Sequence, residues 1–294
     1  MLTFTANNMP LIGILGITEN TLMLARNLLQ TGKYEIVLWD RNESISLSIP
    51  AEKTNNPFAV IANSDVLLIP RKDEGSYGLI AEAIFALKPV VIDNLPMFTI
   101  REINDIIKLS HEAEIPVIPY VDQQLIAYTN LIHQHFPDDI FFVNAIIKGV
   151  PSILRNVDPV FSLMLLLTLV FKGNILRSHV EAFHSHPPGS PLYFHFTFPS
   201  GSAALFYQPC SENEVFAFDV VGKNTTRCID LLNLVKLEEP DHFACQPCGE
   251  NLILELSSNR INNNLFNLYD LKLLLQAFKQ AAKVLEDSHE RMIR

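Results

Sequence analysis

The first 121 residues alternate short, almost wholly apolar segments with longer amphipathic ones, and this alternation constrains the fold more than any other feature. Five segments have the length and composition of strands: Leu11–Leu15, Glu35–Trp39, Val66–Ile69, Pro89–Ile92 and Ile115–Ile118. Strands that are apolar on both faces are typical of a parallel sheet covered by helices. Helices are predicted between them at about 20–30, 77–87 and 100–113. We therefore predict a Rossmann-like domain over residues 1–121.

After Tyr120 the pattern changes to an alternation of apolar and polar residues with a period of two. Two pairs of such segments flank turn sequences: Leu192–Phe198 with Ala203–Tyr207, and Val215–Val221 with Thr225–Leu231. These pairs predict antiparallel hairpins. A further strand is predicted at Leu252–Leu256, and helices at about 122–135, 158–171 and 265–286. We predict a second, α+β domain over residues 122–294 with a mostly antiparallel open sheet.

Composition excludes several classes of function. The chain has 294 residues, of which 48% are hydrophobic, and this is enough for two cores. A net charge of −10 argues against nucleic acid or an anionic membrane as a partner. The most apolar run, Val160–Phe171, is shorter than the roughly 20 residues that span a bilayer. The first ten residues lack the basic and apolar regions of a signal peptide, and we expect a cytoplasmic protein.

The first strand leads into a helix where dinucleotide-binding proteins carry the pattern G-x-G-x-x-G. Here the three glycine positions are occupied by Gly16, Thr18 and Thr21. The first glycine permits a tight turn, the second lets the backbone approach the phosphates, and the third lets helix and strand pack closely. The sequence therefore outlines a nucleotide-binding fold, while Thr18 and Thr21 bring branched side chains to the second and third of these positions.

The order of the domains and several short motifs resemble the glucose-fructose oxidoreductase and inositol dehydrogenase (Gfo/Idh/MocA) family. The motifs are Ile12–Gly16 at the start, Asp65–Pro70 where the family has D-x-V-x-I-x-T-P, Ala83–Pro96 where it has A-x-x-A-L-x-x-G-K-x-V-x-x-E-K-P, and Asp158–Ser162 where it has D-x-G-x-H. The resemblance covers nearly the whole chain. It implies an oxidoreductase that uses NAD or NADP on a sugar-like or polyol substrate.

The chain departs from the family at the residues that carry out the chemistry. The family's E-K-P lysine, the usual candidate for proton transfer, is replaced by Leu95, which cannot exchange a proton. The family histidine is replaced by Ser162, and the acidic residue three positions later by Leu165. Asp158 persists, and it is either a remnant of the pocket or the cap of the following helix. These losses predict a degenerate member of the family without the usual hydride transfer. The alternative is an active dehydrogenase with atypical catalytic residues.

Six residues are predicted to bind a cofactor if one binds: Gly16, Ile17, Thr18, Asp40, Arg41 and Pro70. The turn and the following helix N-terminus could hold an anion on free backbone N–H groups. Asp40 ends the second strand, where an acidic residue accepts the ribose hydroxyls of NAD, and Arg41 could stack on adenine or meet a 2′-phosphate. Equally, Asp40 could cap a turn in a solvated loop. NAD and NADP cannot be told apart from the sequence.

No metal site is predicted. The pairs His133/His135 and His184/His186 lack a nearby third ligand, and Cys245 with Cys248 lacks the second pair that a zinc site needs. Aromatic residues alternate along the predicted hairpin around Phe196, and an apolar open face favours a homodimer through the C-terminal sheet. A small-molecule ligand is expected in the cleft between the two domains.

Overall fold

The computed structural model describes residues 9–42, 51–71, 73–121, 123–136, 140–149, 158–182, 191–208, 211, 213–223, 225–230 and 266–293. The chain forms two compact units. The first comprises Met1–Gln123 with Gln246–Leu271, and the second comprises Gln124–Cys245 with Lys272–Arg294.

The first unit is built from a six-stranded parallel sheet and its flanking helices. In chain order its elements are β1 Leu11–Leu15, α1 Glu19–Gln30, β2 Glu35–Trp39, β3 Glu52–Lys53, α2 Pro57–Asn63, β4 Val66–Pro70, α3 Glu74–Phe85, β5 Val90–Asp93, a 3₁₀ turn Leu95–Met97, α4 Ile100–Ala113 and β6 Val117–Pro119. The strand order is β3-β2-β1-β4-β5-β6. The order reverses between β1 and β4, and doubly wound sheets bind ligands at this switch point. The predicted Rossmann-like fold is confirmed.

The centre of this sheet is buried. Ile12, Leu38, Leu67 and Ile69 are fully buried, as strands covered on both faces require. In β1, a Cβ at Gly13 would overlap the hydroxyl of Ser64. Glycine at this position therefore lets the end of α2 lie directly on the strand.

Several boundaries differ from the sequence prediction. Helix α3 begins at Glu74 rather than at Tyr77, because Asp73 and Ser76 form a capping box that satisfies its first N–H groups. Strand β3 and helix α2 were not predicted, since two and seven residues give too little periodicity.

The second unit contains a mixed sheet. Its elements are α5 Gln123–His135, β7 Ile140–Lys148, α6 Pro159–Val170, β8 Arg177–Ala182, β9 Leu192–Thr197, β10 Ser202–Gln208, β11 Val215–Gly222, β12 Thr226–Asp230 and α7 Leu268–Ile293. Helices α5 and α7 extend across the boundary between the units by one and four residues respectively. The strand order is β12-β11-β7-β10-β9-β8, and among the described strands of this sheet only β10 and β7 pair in parallel. The predicted, mostly antiparallel sheet and both hairpins are confirmed.

One face of this sheet is buried and the other is half-exposed. The buried face carries Val143, Phe194, Leu205 and Phe218, while most of the residues that alternate with them are partly accessible. Strand β8 was not predicted because its sequence, RSHVEA, lacks apolar alternation. The predicted strand 252–256, His184, His186, Cys245 and Cys248 lie outside the described residues. In the part of the chain that the structure describes, no helix is both long enough and apolar enough to cross a bilayer.

Candidate functional site

The candidate site lies at the carboxyl ends of the parallel strands, where β1 turns into α1. Gly16 has a φ of 113°, a conformation that glycine adopts more readily than other residues. Its N–H donates to the carbonyl of Trp39 at 2.8 Å, so the turn is tied to the end of β2. The first fingerprint glycine thus keeps its conformational role.

The carboxylate of Asp40 is engaged by the protein's own backbone. Asp40 is 3% exposed, and its Oδ2 accepts a hydrogen bond from the N–H of Ile17 at 2.6 Å. Its Oδ1 accepts from the N–H of Asn42 at 2.8 Å, which is the turn-capping arrangement considered from the sequence. Asp40 therefore joins the end of β2 to the turn after β1, and it places a negative charge against a backbone N–H that a phosphate would otherwise use.

The two threonines of the fingerprint bind each other's backbone. The hydroxyl of Thr18 accepts from the N–H of Thr21 at 3.1 Å, and the hydroxyl of Thr21 accepts from the N–H of Thr18 at 2.8 Å. This reciprocal pair is a capping box in which threonine replaces the usual Glu or Gln. Together with Asp40, it satisfies the N–H groups of Ile17, Thr18 and Thr21. Side-chain oxygens thus accept hydrogen bonds from three of the backbone N–H groups at the start of α1.

Arg41 reaches in the opposite direction from Asp40. Its Nη1 lies 3.1 Å from Oδ2 of Asp73, the residue that caps α3. The two side chains are 66% and 45% exposed, so solvent surrounds this ion pair. A Cβ at Gly75, in the first turn of α3, would overlap Nη2 of Arg41. Arg41 therefore lies against the start of α3.

The ends of β4 and β5 form a second, more buried cluster. Pro70 is buried as the last residue of β4. Next to it, Arg71 pairs through Nη2 with Oε1 of Glu102 at 2.9 Å, and its carbonyl accepts from Nδ2 of Asn94 at 2.6 Å. Asn94 has a φ of 58°, and the Leu95 that follows it is 4% exposed. The position of the family's lysine is therefore held by a buried leucine.

In the second unit, helix α6 carries the other positions singled out by the resemblance. Asp158 caps this helix, because its Oδ1 accepts from the N–H groups of Val160 and Phe161 at 2.9 Å each. Ser162 is fully buried, and its hydroxyl has no hydrogen-bond partner among the described residues. Leu165 is 3% exposed. The carboxylate that persists from the motif thus holds a helix end, as the cap interpretation predicted.

Among the described residues, no three histidine, cysteine, aspartate or glutamate side chains are arranged to hold a metal ion. His133 and His135 lie on helix α5, where a separation of two residues directs side chains to different faces. Burial, reinforced by the charge of Lys172, lowers the pKa of His133.

Sequence reasoning missed Asp73 and Gly75, the residues that contact Arg41. The spacing of Asp73 and Ser76 is a helix-start signal, and it would have placed Asp73 at the end of the loop that follows β4. The contact with Arg41 has no such signal because it joins two distant loops.

Comparison with known proteins supports the fold. No family model and no curated protein matches the chain. Among solved structures, it is similar to UDP-N-acetylglucosamine 3-dehydrogenase GnnA from Acidithiobacillus ferrooxidans, with 12% identity, a TM-score of 0.73 and coverage of 92% of this chain and 96% of that one. A probable dehydrogenase from Thermotoga maritima has 12% identity, a TM-score of 0.71 and coverages of 94% and 97%. GenD2 from gentamicin A biosynthesis, solved in complex with NAD, has 11% identity, a TM-score of 0.71 and coverages of 96% and 97%.

These likenesses extend over both units. At such low identity they establish a shared fold, and the fold is that of the Gfo/Idh/MocA dehydrogenases, as the sequence motifs predicted.

Proposed function

We propose that this chain is a dehydrogenase-fold protein that does not carry out the usual hydride transfer, and that its partner is a small molecule rather than a redox cofactor. The observation that carries the proposal is the hydrogen bonding of the turn after β1. Three of its donors, the N–H groups of Ile17, Thr18 and Thr21, are satisfied by the side chains of Asp40, Thr21 and Thr18. The buried Leu95 and Ser162 support it, because neither can serve as a proton donor or acceptor in the way that lysine and histidine do.

Binding a pyrophosphate at this turn would be costly. The phosphate would have to displace the carboxylate of Asp40 from Ile17, and a charge-assisted hydrogen bond contributes about 1.5–3 kcal/mol. It would then lie beside that displaced carboxylate, a like charge. The threonine side chains also stand where the family's glycines leave space. We therefore expect NAD and NADP to bind weakly through Gly16, Ile17, Thr18, Asp40, Arg41 and Pro70, if they bind at all.

The test is a titration with NADH and NADPH, followed by fluorescence and by thermal unfolding. We expect no shift of the wild-type unfolding temperature at millimolar cofactor. The double variant Thr18→Gly/Thr21→Gly restores the fingerprint, and it should gain affinity of about tenfold or more, which corresponds to about 1.4 kcal/mol. Thr99→Gly removes the equivalent cap of α4 and should gain nothing. Wild-type binding tighter than about 100 μM would contradict the proposal.

An active NAD(P)-dependent dehydrogenase is the second candidate. It is favoured by the position of Asp40 at the end of β2 and by the likeness to GnnA and to GenD2, the latter solved with NAD. Its substrate would be sugar-like, and UDP-N-acetylglucosamine is the first compound to try, because the name of GnnA specifies it. Cofactor-dependent turnover that is lost in Asp40→Asn would establish this function and reject the first.

We also propose that the half-exposed face of the second sheet forms a homodimer. This open face carries Phe142, Asn144, Ile146, Tyr193, His195, Phe206, Ala217 and Asp219. Each of its edge strands carries both signs of charge: Arg177 and Glu181 lie on β8, and Arg227 and Asp230 lie on β12. A two-fold axis that lies in the plane between two copies, parallel to the strands, would bring their open faces together, with the β8 edge of one copy over the β12 edge of the other.

Light scattering at micromolar concentration tests this assembly. We expect a dimer that Phe206→Lys disrupts, because a charge would be buried in the interface. Phe141→Lys is the control, since Phe141 is already 48% exposed outside the open face. A wild-type monomer would contradict the proposed dimer.

A further inference from the structure

A row of mostly polar side chains crosses the open face of the second sheet from one edge to the other. The register of the strands places one residue of each strand beside the next at the same height along the strands. From β12 to β8 the row comprises Cys228, Asp219, Asn144, Ala204, His195 and His179. The carboxylate therefore lies on one side of the centre of the sheet, and both histidines lie on the other side.

The carboxylate of Asp219 is held by its two neighbours in the row. Nδ2 of Asn144 donates to Oδ2 of Asp219 at 3.2 Å. The thiol of Cys228 also donates to this carboxylate, and this hydrogen bond is the main cause that raises the pKa of Cys228. The protein's own side chains thus fix the position of the acidic group in the row.

A two-fold axis parallel to the strands relates the two halves of this row. The axis would pass between the central strands, β7 and β10. Neighbouring strands lie about 4.8 Å apart, so Asp219 and His195 each lie about 7 Å from this axis, on opposite sides. The axis therefore brings Asp219 of one copy opposite His195 of the partner subunit. Facing sheets pack about 10 Å apart, a distance that two such side chains bridge together.

We propose that Asp219 and His195 bind each other across the homodimer, twice in each dimer, and that this pairing selects the axis parallel to the strands. The proposal rests on the dimer through the open face that is proposed above. Both side chains are half-exposed in the single chain, so the interface would bury them. A buried carboxylate is costly unless it is paired. Histidine suits this carboxylate because it donates a hydrogen bond in its neutral form and adds a positive charge when protonated.

A second orientation of the two-fold axis, along the row and perpendicular to the strands, is disfavoured by the same residues. It would set Asp219 opposite the partner's Asp219, and His195 opposite the partner's His195. Like charges that face each other across an interface weaken association. The order of residues in the row therefore discriminates between the two arrangements.

The rows on either side of the polar row are compatible with the axis parallel to the strands. In one of them, this axis places Phe142 opposite Ser202 of the partner subunit, so that a large side chain faces a small one. In the other, it places Asp230 opposite the partner's Glu181 at the outer corner of the sheet. Oε1 of Glu181 lies 3.0 Å from Nε2 of His179 in its own chain, and solvent screens this exposed carboxylate.

Exchange of the two groups tests the pairing. Asp219→Lys and His195→Glu should each weaken dimerisation by about tenfold or more, because each leaves a buried charge without an opposite one. The double variant Asp219→Lys/His195→Glu restores an opposite pair, and its affinity should return to within about threefold of the wild type. With the axis perpendicular to the strands, the double variant would instead set like charges opposite each other and would associate most weakly. Sedimentation equilibrium over a range of concentrations measures each affinity.

Asp219→Asn serves if the charge reversals do not fold, because it keeps the size of the side chain. It should weaken dimerisation by about three- to tenfold. The control is Arg227→Glu, which reverses a charge on the other face of β12, where Nη1 of Arg227 lies 3.5 Å from Nδ1 of His135. This variant should dimerise as the wild type does.

The pairing is rejected if the double variant associates no more tightly than the single variants, or if Asp219→Asn dimerises as tightly as Arg227→Glu. A wild-type monomer would reject the proposed dimer and the pairing with it. A wild-type dimer whose affinity does not respond to the exchange would reject the pairing alone. Neither result bears on hydride transfer, which the cofactor titration tests.

Discussion

Asp40 and Arg41 are adjacent in the chain, but the side chain of Asp40 is buried whereas that of Arg41 is exposed. The Asp40 side chain is buried and bound by two backbone N–H groups, so it fixes the turn after β1. The Arg41 side chain is exposed and pairs with the exposed carboxylate of Asp73. A charge removed from water must be fully bonded, whereas a charge left in water forms bonds that are easily exchanged. Asp40 therefore fixes the turn after β1, whereas Arg41 forms an exposed ion pair that exchanges easily.

The largest effect should come from removing the buried carboxylate. Asp40→Ala leaves the N–H of Ile17 without its acceptor, and we expect it to lower the free energy of unfolding by about 2–3 kcal/mol. Asp65→Ala is the matched control, because Asp65 also accepts from a backbone N–H, that of Leu11 at 2.8 Å, but in an exposed position. Urea denaturation should show a loss below about 1 kcal/mol for this variant. Equal losses would mean that burial is not what distinguishes Asp40.

An intermediate effect is expected at the capping box of α1. Thr18→Ala removes the acceptor for the N–H of Thr21 and should cost about 1 kcal/mol of unfolding free energy. Thr99→Ala removes the same type of bond from α4, where the hydroxyl accepts from the N–H of Glu102 at 3.1 Å. Thermal unfolding of the two variants should give similar losses. A much larger loss for Thr18→Ala would indicate that the turn depends on the threonine beyond its role as a cap.

The smallest effect should come from breaking the exposed ion pair between Arg41 and Asp73. Asp73→Asn retains an N-cap and loses only the exposed pair with Arg41, so we expect a change in unfolding free energy below about 0.5 kcal/mol. Denaturation curves in low and high salt measure it. The small difference from wild type should disappear in high salt, where the wild-type pair is screened. A loss above about 1 kcal/mol would place the Arg41–Asp73 pair in the same class as Asp40.

The sequence was sufficient to predict the helices and strands whose pattern of apolar residues extends over several consecutive positions. Apolar runs such as Leu11–Leu15 predicted the parallel strands, because a strand buried on both faces has apolar residues at nearly every position. Alternation of apolar and polar residues predicted the β9–β10 hairpin, because a strand buried on one face has apolar residues at every second position. Strand β8 was missed because its residues are mostly polar, and its place at the sheet edge follows from pairing with β9.

The residues of the candidate site could be predicted from the sequence, but the hydrogen bonds and ion pairs between them could not. The replaced glycines and the acidic residue after β2 can be read from Thr18, Thr21 and Asp40. That Asp40 accepts from Ile17, and that Arg41 pairs with Asp73, depends on where three loops lie once the sheet has formed. Local sequence propensities carry no information about a hydrogen bond between residues that only the tertiary fold brings together.

The single parallel pairing in the second sheet has a consequence for how the chain folds. Strand β7 is made early, but both of its neighbours, β10 and β11, come much later in the sequence. Until they are synthesised, β7 has no partner on either side, and closing such long loops is slow because of their entropy. A nascent chain that ends before β10 therefore exposes a nine-residue strand with two open edges. During synthesis, the open edges of this strand can therefore pair with another chain.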